Sequence, residues 1–237
     1  MMIRALKPLG CALTGAMLSL AKPLWAEQRP VVVELFTSQG CSSCPPADEM
    51  FLALSEREDV IAIALHVDYW DYIGWADEYA VPGHADRQRA YAQTAGRRSI
   101  YTPEIIVNGE TDIVGAKPMA LSKAIAEHKE APRSIDLELT RDGDTLSVRA
   151  EALADLAGPM EVHLVRLMPT QTSEITRGEN SGKTIEYSNI AYNWRAIGTW
   201  DGASELAVTA SVEGTDPVVV LVQDAGAGAI RAAAILD

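Results

Sequence analysis

The sequence predicts an α/β domain followed by a smaller, sandwich-like all-β domain, and three observations predict it. A β-rich run, Val31-Val32-Val33-Glu34-Leu35-Phe36, leads through a polar turn to Cys41-Ser42-Ser43-Cys44, then to an amphipathic stretch and a second apolar run, Val60 to Val67. That is a strand–helix–strand unit with two cysteines at its first turn. Downstream, Thr102-Pro103 precedes a hairpin marked by Asn108-Gly109, a dipeptide suited to the positive φ angles of a two-residue turn. Beyond Pro132 the texture changes to short strands separated by turns. The expected division is a signal segment at 1–26, the α/β domain at 27–132 and the β domain at 133–237, a length ample for one large or two small domains.

The N-terminus reads as a secretory signal. Arg4 and Lys7 form a basic region, Leu9 to Ala21 an apolar run, and Leu24-Trp25-Ala26 a cleavage site. The run is shorter than the ~20 residues a spanning helix needs, so no stable membrane insertion is expected after cleavage. The expected location is the periplasm or the exterior. Of three cysteines, Cys11 falls in the segment to be removed, which leaves Cys41 and Cys44 as the only thiols of the mature chain. An oxidising compartment favours their cycling through a disulfide. Net charge is −13, and loss of the basic Arg4, Lys7 and Lys22 makes the mature chain more acidic still. That balance argues against nucleic acid and anionic membrane surfaces as partners.

Each element has a local cause. Pro45-Pro46 suits the first helical positions, where a missing N–H is harmless, and Asp48 and Glu49 suit the positive end of the helix dipole. Ala47, Met50, Phe51 and Leu54 give the helix an apolar face, with its end expected near Glu58. Val60 to Val67 is almost wholly apolar, as in a strand covered on both faces. An insert from Asp68 to Arg98 carries Tyr69, Trp70, Tyr72, Trp75 and Tyr79, then a helical stretch from His84 to Ala95 stopped by Gly96. Strands are expected at 104–107 and 111–114 and a helix from Lys117 to about Lys129. The second domain offers strand candidates at 135–140, 145–150, 162–168, 206–212, 218–222 and 229–236, with Pro159, Pro169 and Pro217 at their edges, where proline is tolerated.

This order of elements, with Thr102-Pro103 in the position of a cis-proline loop and Asn108-Gly109-Glu110, Val114-Gly115-Ala116 and Leu121-Ser122-Lys123 behind it, resembles the thioredoxin superfamily. The stretch from Glu34 to Asp48, ELFTSQGCSSCPPAD, with His66-Val67-Asp68-Tyr69-Trp70-Asp71 and Arg177-Gly178-Glu179-Asn180, resembles an uncharacterised family of secreted bacterial thioredoxin-like proteins. The resemblance implies a thioredoxin-like fold for the first domain and brings no established activity.

The leading expectation is thiol–disulfide exchange or redox sensing, with protein thiols or disulfides as substrates. Cys41 is the candidate nucleophile, near the positive end of the following helix, and Cys44 the resolving thiol. Pro103, if cis, lies against the pair and presents a backbone edge to a substrate peptide. Ser42-Ser43 stands where thioredoxins carry Gly-Pro, and Pro45 disfavours the α region for Cys44, so both cysteines are expected ahead of the helix. Thioredoxins carry a buried acid on the strand before the cysteines; Glu34 is its approximate counterpart here and a candidate to take a proton from Cys44. The plainer reading of Glu34 is a strand residue hydrogen-bonded to a neighbour or facing solvent.

His66 and Asp68 share a face at the end of their strand. With the two thiolates, His66 offers an alternative reading as a copper or zinc site, against the plainer one of a hydrogen-bonded strand-end histidine. No second Cys pair or His pair at ligand spacing is present, so no metal and no cofactor is assigned. A third reading gives the pair a purely structural disulfide. The aromatic cluster is expected to pack as a lid or a seam, with Trp194 and Trp200 across it, or to line a peptide groove. Gly178 to Thr184 mimics a phosphate loop but lacks its spacing, and is expected to be a surface turn. His84, His128 and His163 have no catalytic companion in the sequence.

Overall fold

The computed structural model describes residues 30–237. The expected signal segment 1–26 and Cys11 lie outside the described residues. The first half runs β1 (Val31–Thr37), α1 (Pro45–Ser55), β2 (Val60–His66), α2 (Pro82–Thr94), β3 (Glu104–Val107), β4 (Thr111–Val114) and α3 (Pro118–Lys129). The second half is β5 (Ile135–Asp142), β6 (Thr145–Ala152), β7 (Met160–Ile175), β8 (Lys183–Trp200), β9 (Leu206–Ser211), β10 (Val218–Asp224) and β11 (Ile230–Leu236).

The assembly of these elements overturns the expected fold class. A thioredoxin-like α/β domain followed by a small separate β domain is not what forms. Of the described residues, 44% are strand and 19% helix, and eight of the strands join one mixed sheet in the order β11-β10-β7-β8-β2-β1-β3-β4. The sheet therefore runs across residue 132. The joint is narrow: parallel β2 and β8 meet at the pair Ala64–Ile190. Only β5, β6 and β9 form a second sheet. The physical reason for the difference is β8. This 18-residue strand supplies an edge for β2 and a long antiparallel partner for β7. Its pattern is hidden because Asn189 and Asn193 take positive φ angles of 51° and 49°, breaking the alternation of its side chains.

Three apolar clusters hold the molecule. Alternate residues of β1 and β2 face opposite ways. Val31, Val33, Leu35, Ala62 and Ala64 pack with Ala47, Phe51 and Leu54 of α1 and with Leu121, Ala124 and Ile125 of α3. Val32, Phe36, Ile61, Ile63 and Leu65 face the other way, where Ala85 and Tyr91 of α2 join Val219 and Leu221 of β10 and Ile230 and Ala233 of β11. β11 ends the strand order yet touches β1 and β2, so the sheet curls back on itself. The third cluster fixes the small sheet, through Leu146, Val148 and Leu206, onto the other faces of β7 and β10 at Val162, Leu164, Val218 and Val220.

Candidate functional site

Cys41 and Cys44 form a disulfide in the turn between β1 and α1, with Cα atoms 5.4 Å apart. The helix starts at Pro45, as the double proline requires, and Cys44 is its N-cap. Cys44 nonetheless adopts the α region (φ −78°, ψ −36°), against the usual restriction before proline. Its carbonyl accepts from the Ala47 and Asp48 N–H groups at 2.8 and 3.1 Å. Pro45 and Pro46 have no N–H to give. The first-turn amides that elsewhere stabilise a thiolate are thus absent or engaged, and the polar side chain beside Cys41 Sγ is Ser43, its Oγ at 3.4 Å. The turn residues Ser42 and Ser43 are exposed, whereas Cys41 and Cys44 are 1% and 0% exposed.

Three segments enclose the turn. Gly40 packs under Trp70, so closely that a Cβ there would stand 3.1 Å from the Trp70 Cβ and oblige its neighbour to give by a few tenths of an ångström. Trp70 Nε1 donates to Thr102 Oγ1 at 2.8 Å, and the Thr102-Pro103 peptide is cis, with Ser43 Oγ 3.5 Å from the Thr102 carbonyl. Pro103 itself is buried. From the distant β7–β8 loop, Asn180 donates to the carbonyls of Gln39 and Cys41, both at 2.9 Å, and accepts from Lys183 Nζ at 2.8 Å. Gln39 also accepts from Trp75 Nε1 at 2.7 Å. The segment read as a surface turn therefore contributes a buried clamp on the cysteine loop. Only the Arg177-Gly178-Glu179-Asn180 match pointed to it in the sequence.

Beneath the disulfide lies a polar pocket. Thr37 and His66 are register partners at the ends of β1 and β2, on the face turned to α1. Asp48, 3% exposed on α1, accepts from Thr37 Oγ1 at 2.7 Å. Burial pushes the Asp48 carboxyl up to about 7, against the opposing influence of the Thr37 hydroxyl and of His66. His66 Nδ1 donates to Asp77 Oδ2 at 2.8 Å, and the same oxygen accepts from the Gln39 N–H. The His66 ring stands edge-on to Tyr187 and Tyr79, with centroids 4.8 and 5.4 Å away. Asp48 Oδ2, His66 Nε2 and the Tyr187 hydroxyl have no hydrogen-bond partner among the described groups.

Glu34 is placed elsewhere. Strand alternation turns it with Val32 and Phe36 toward the face away from α1. There Arg87 of α2 holds it through Nε at 2.6 Å and Nη2 at 3.1 Å, and the Tyr91 hydroxyl donates to it. The plainer reading, a strand glutamate bonded to neighbours, describes its contacts. On that side a cleft of about 480 Å³ is lined by His84, Arg87, His163 and Trp194, among others. Arg87 stacks over Trp194 at 4.1 Å, so this tryptophan lines the cleft, and it packs on the same apolar cluster as Tyr69 and Trp70. Trp200 is enclosed by the small sheet. His84 donates to the His66 carbonyl, and His128 faces Thr111. His66 is engaged as described, and among the described residues no group of three or more His, Cys, Asp or Glu is placed to hold a metal ion.

A protein of Agrobacterium tumefaciens, solved by X-ray crystallography, is 31% identical and superposes with a TM-score of 0.74 over 87% of this chain and 93% of its own. HBP35 of Porphyromonas gingivalis has a TM-score of 0.60 over 88% of this chain and 75% of that one; at 19% identity it shows a shared fold alone. No curated protein matches. The family described as "Protein of unknown function (DUF1223)" matches residues 32–223, a span that takes in the cysteine turn, the Asn180 clamp and the whole polar pocket, and the chain belongs to that family.

Proposed function

We propose that this chain is an exported protein that exchanges disulfides with protein thiols through Cys41 and Cys44. The observation that carries the reading is the shortness of the loop the disulfide closes, with a sequence separation of 3. Constraint of so short a loop stabilises a fold by only about 2 kcal/mol on a chain-entropy estimate, so the pair makes a weak staple. The same spacing makes the two sulfurs a good exchange pair, because Cys44 stays within reach when Cys41 is joined to a partner. Pro103 and the Thr102 carbonyl border the turn, a backbone edge for a substrate segment. Few helix amides face Cys41, so the thiolate is weakly stabilised and the dithiol is a reductant rather than a strong oxidant.

The test is a redox titration of the mature protein in glutathione buffers, followed by tryptophan fluorescence from Trp70 beside the turn. A reversible two-electron transition, abolished in Cys41→Ser, is expected. A structural disulfide is the second reading, favoured by the burial of Cys41. It requires that no such transition occur under conditions where the fold stays intact. Exchange requires the exposed Ser42-Ser43 turn to lift, and hydrogen exchange at those two amides faster than at β1 is the accompanying expectation.

A further inference from the structure

When the Cys41–Cys44 bond is cleaved, Cys44 leaves as a thiolate in a fully buried position. Burial disfavours that charge, so a proton has to be at hand. Glu34 faces the other side of the sheet and is held by Arg87 and Tyr91. Asp48 is one helical turn on from Cys44, and its N–H bonds to the Cys44 carbonyl. Residues four apart on a helix are neighbours, about 5–6 Å between Cβ atoms. A helical side chain also leans toward the preceding turn, which here is the turn that holds Cys44. One of its oxygens is fixed by Thr37; the other is buried and unpartnered.

We propose that Asp48 is the group that exchanges a proton with Cys44 as the disulfide opens and closes. This rests on the exchange reading above and names a residue that reading does not require. In the opening direction, a thiolate of a partner dithiol attacks Cys41 Sγ. The Cys41–Cys44 bond breaks and its electron pair goes to Cys44 Sγ. The Asp48 carboxyl gives up its proton, leaving Cys44 as a thiol, Asp48 as a carboxylate and Cys41 in a mixed disulfide. The partner's second thiolate then attacks its own sulfur in that bond and expels Cys41, so the partner is oxidised and this protein reduced by two electrons. In the closing direction Asp48 takes the proton from Cys44, whose thiolate attacks Cys41 and releases the partner.

The surroundings suit a group that must change charge. His66 and Asp77 act on Asp48 with opposite sign, from the end of β2 and from the insert, while Tyr187 of β8 and Thr37 of β1 complete the enclosure. Burial holds the Asp48 carboxyl at about 7, so both protonation states are accessible near neutrality. The Tyr187 hydroxyl is also unpartnered in this pocket and offers the carboxylate a hydrogen-bond donor when it forms.

The experiment reads the closing step alone. Reduced protein is mixed with a thionitrobenzoate disulfide, and the second release of thionitrobenzoate, driven by Cys44, is followed by stopped flow from about pH 5.5 to 9. Asp48→Asn is expected to slow that release about tenfold or more at neutral pH and to converge with wild type in alkali, where the thiol ionises unaided. Asp48→Glu, which keeps a carboxyl, is expected to restore part of the rate. An Asp48→Asn protein with the wild-type rate and pH profile overturns the proposal while leaving exchange standing. A wild type with no second release at any pH overturns both. Should the variants not fold, infrared difference spectra of wild type carrying 13C-aspartate decide: loss of a protonated carboxyl band on reduction supports the assignment, and an unchanged carboxyl region overturns it.

Discussion

Glu34 and Asp48 are both buried carboxyl groups near the same turn, on opposite faces of the same sheet. Glu34 is saturated, with a two-nitrogen contact from Arg87 and a phenol from Tyr91. Asp48 has one hydroxyl donor, no cation bonded to it and one oxygen without a partner. The same chemical group is therefore a closed ion pair on one face and a titrating group on the other. Proximity in sequence to the cysteines does not assign the role. The direction in which a strand or helix turns the side chain does.

The ion pair is the easier of the two to break. Arg87→Ala leaves Glu34 buried without a counter-charge, a loss of about 3–5 kcal/mol. At this chain length that lowers the melting temperature by roughly 10 °C, measurable by calorimetry. The effect is expected at neutral pH. An Arg87→Ala protein as stable as wild type would break the distinction between the two faces.

Asp48 responds in the opposite sense. Its folded-state pKa of about 7 lies above the ordinary 3.8, so between those values the folded chain binds more protons than the unfolded one. Its contribution is undiminished below pH 4 and is lost as pH rises through 7. Asp48→Asn removes the titration. It is expected to match wild type in acid and to exceed it above pH 7 by on the order of 3 kcal/mol. Denaturant midpoints at the two ends of this range are the check.

His163 sharpens the comparison from the cleft on Glu34's side. Burial pushes it down to about 4, from an ordinary 6.5. A depressed pKa gives stability that is present above 6.5 and is lost as pH falls toward 4. His84, also pushed down to about 4 by burial, adds to the same acid limb. His163→Gln is expected to flatten that limb by about 2 kcal/mol, read from melting temperature against pH. Acid therefore weakens the histidine side of the sheet while it relieves Asp48.

The strand–helix–strand unit was legible because its causes are local. Val31 to Phe36, the double proline and the spacing of Ala47, Phe51 and Leu54 each dictate structure over a few residues, and β1, α1 and β2 start where those signals lie. The joining of the two halves was not legible. It depends on β8, whose Asn189 and Asn193 interrupt the period-2 pattern, and on a single bridging pair to β2. The cysteine pair and its turn were evident from spacing, but the carboxyl beneath them was not. Asp48 reads in sequence as a first-turn acid suited to a helix dipole. Its burial arises only when Thr37, His66 and Tyr187, from three strands, close around it.

The smallest expected effect on stability concerns Asn180, which ties the long β7–β8 arm to the turn above Asp48. Asn180→Ala withdraws both N–H donors from the Gln39 and Cys41 carbonyls and the acceptor from Lys183. The loop retains the Cys41 N–H bond to Ser38 and the Gln39 N–H bond to Asp77, so it is loosened rather than released. A loss of about 1–2 kcal/mol is expected, since water can reach the freed carbonyls once the loop moves. The larger consequence is kinetic. A looser Cys41 backbone exposes its sulfur more often, so reduction of the disulfide by dithiothreitol should accelerate several-fold while Arg87→Ala, acting on the opposite face, leaves it nearly unchanged. Equal acceleration by both variants would mean that access to the disulfide follows global unfolding, and the two faces would then be one cooperative unit.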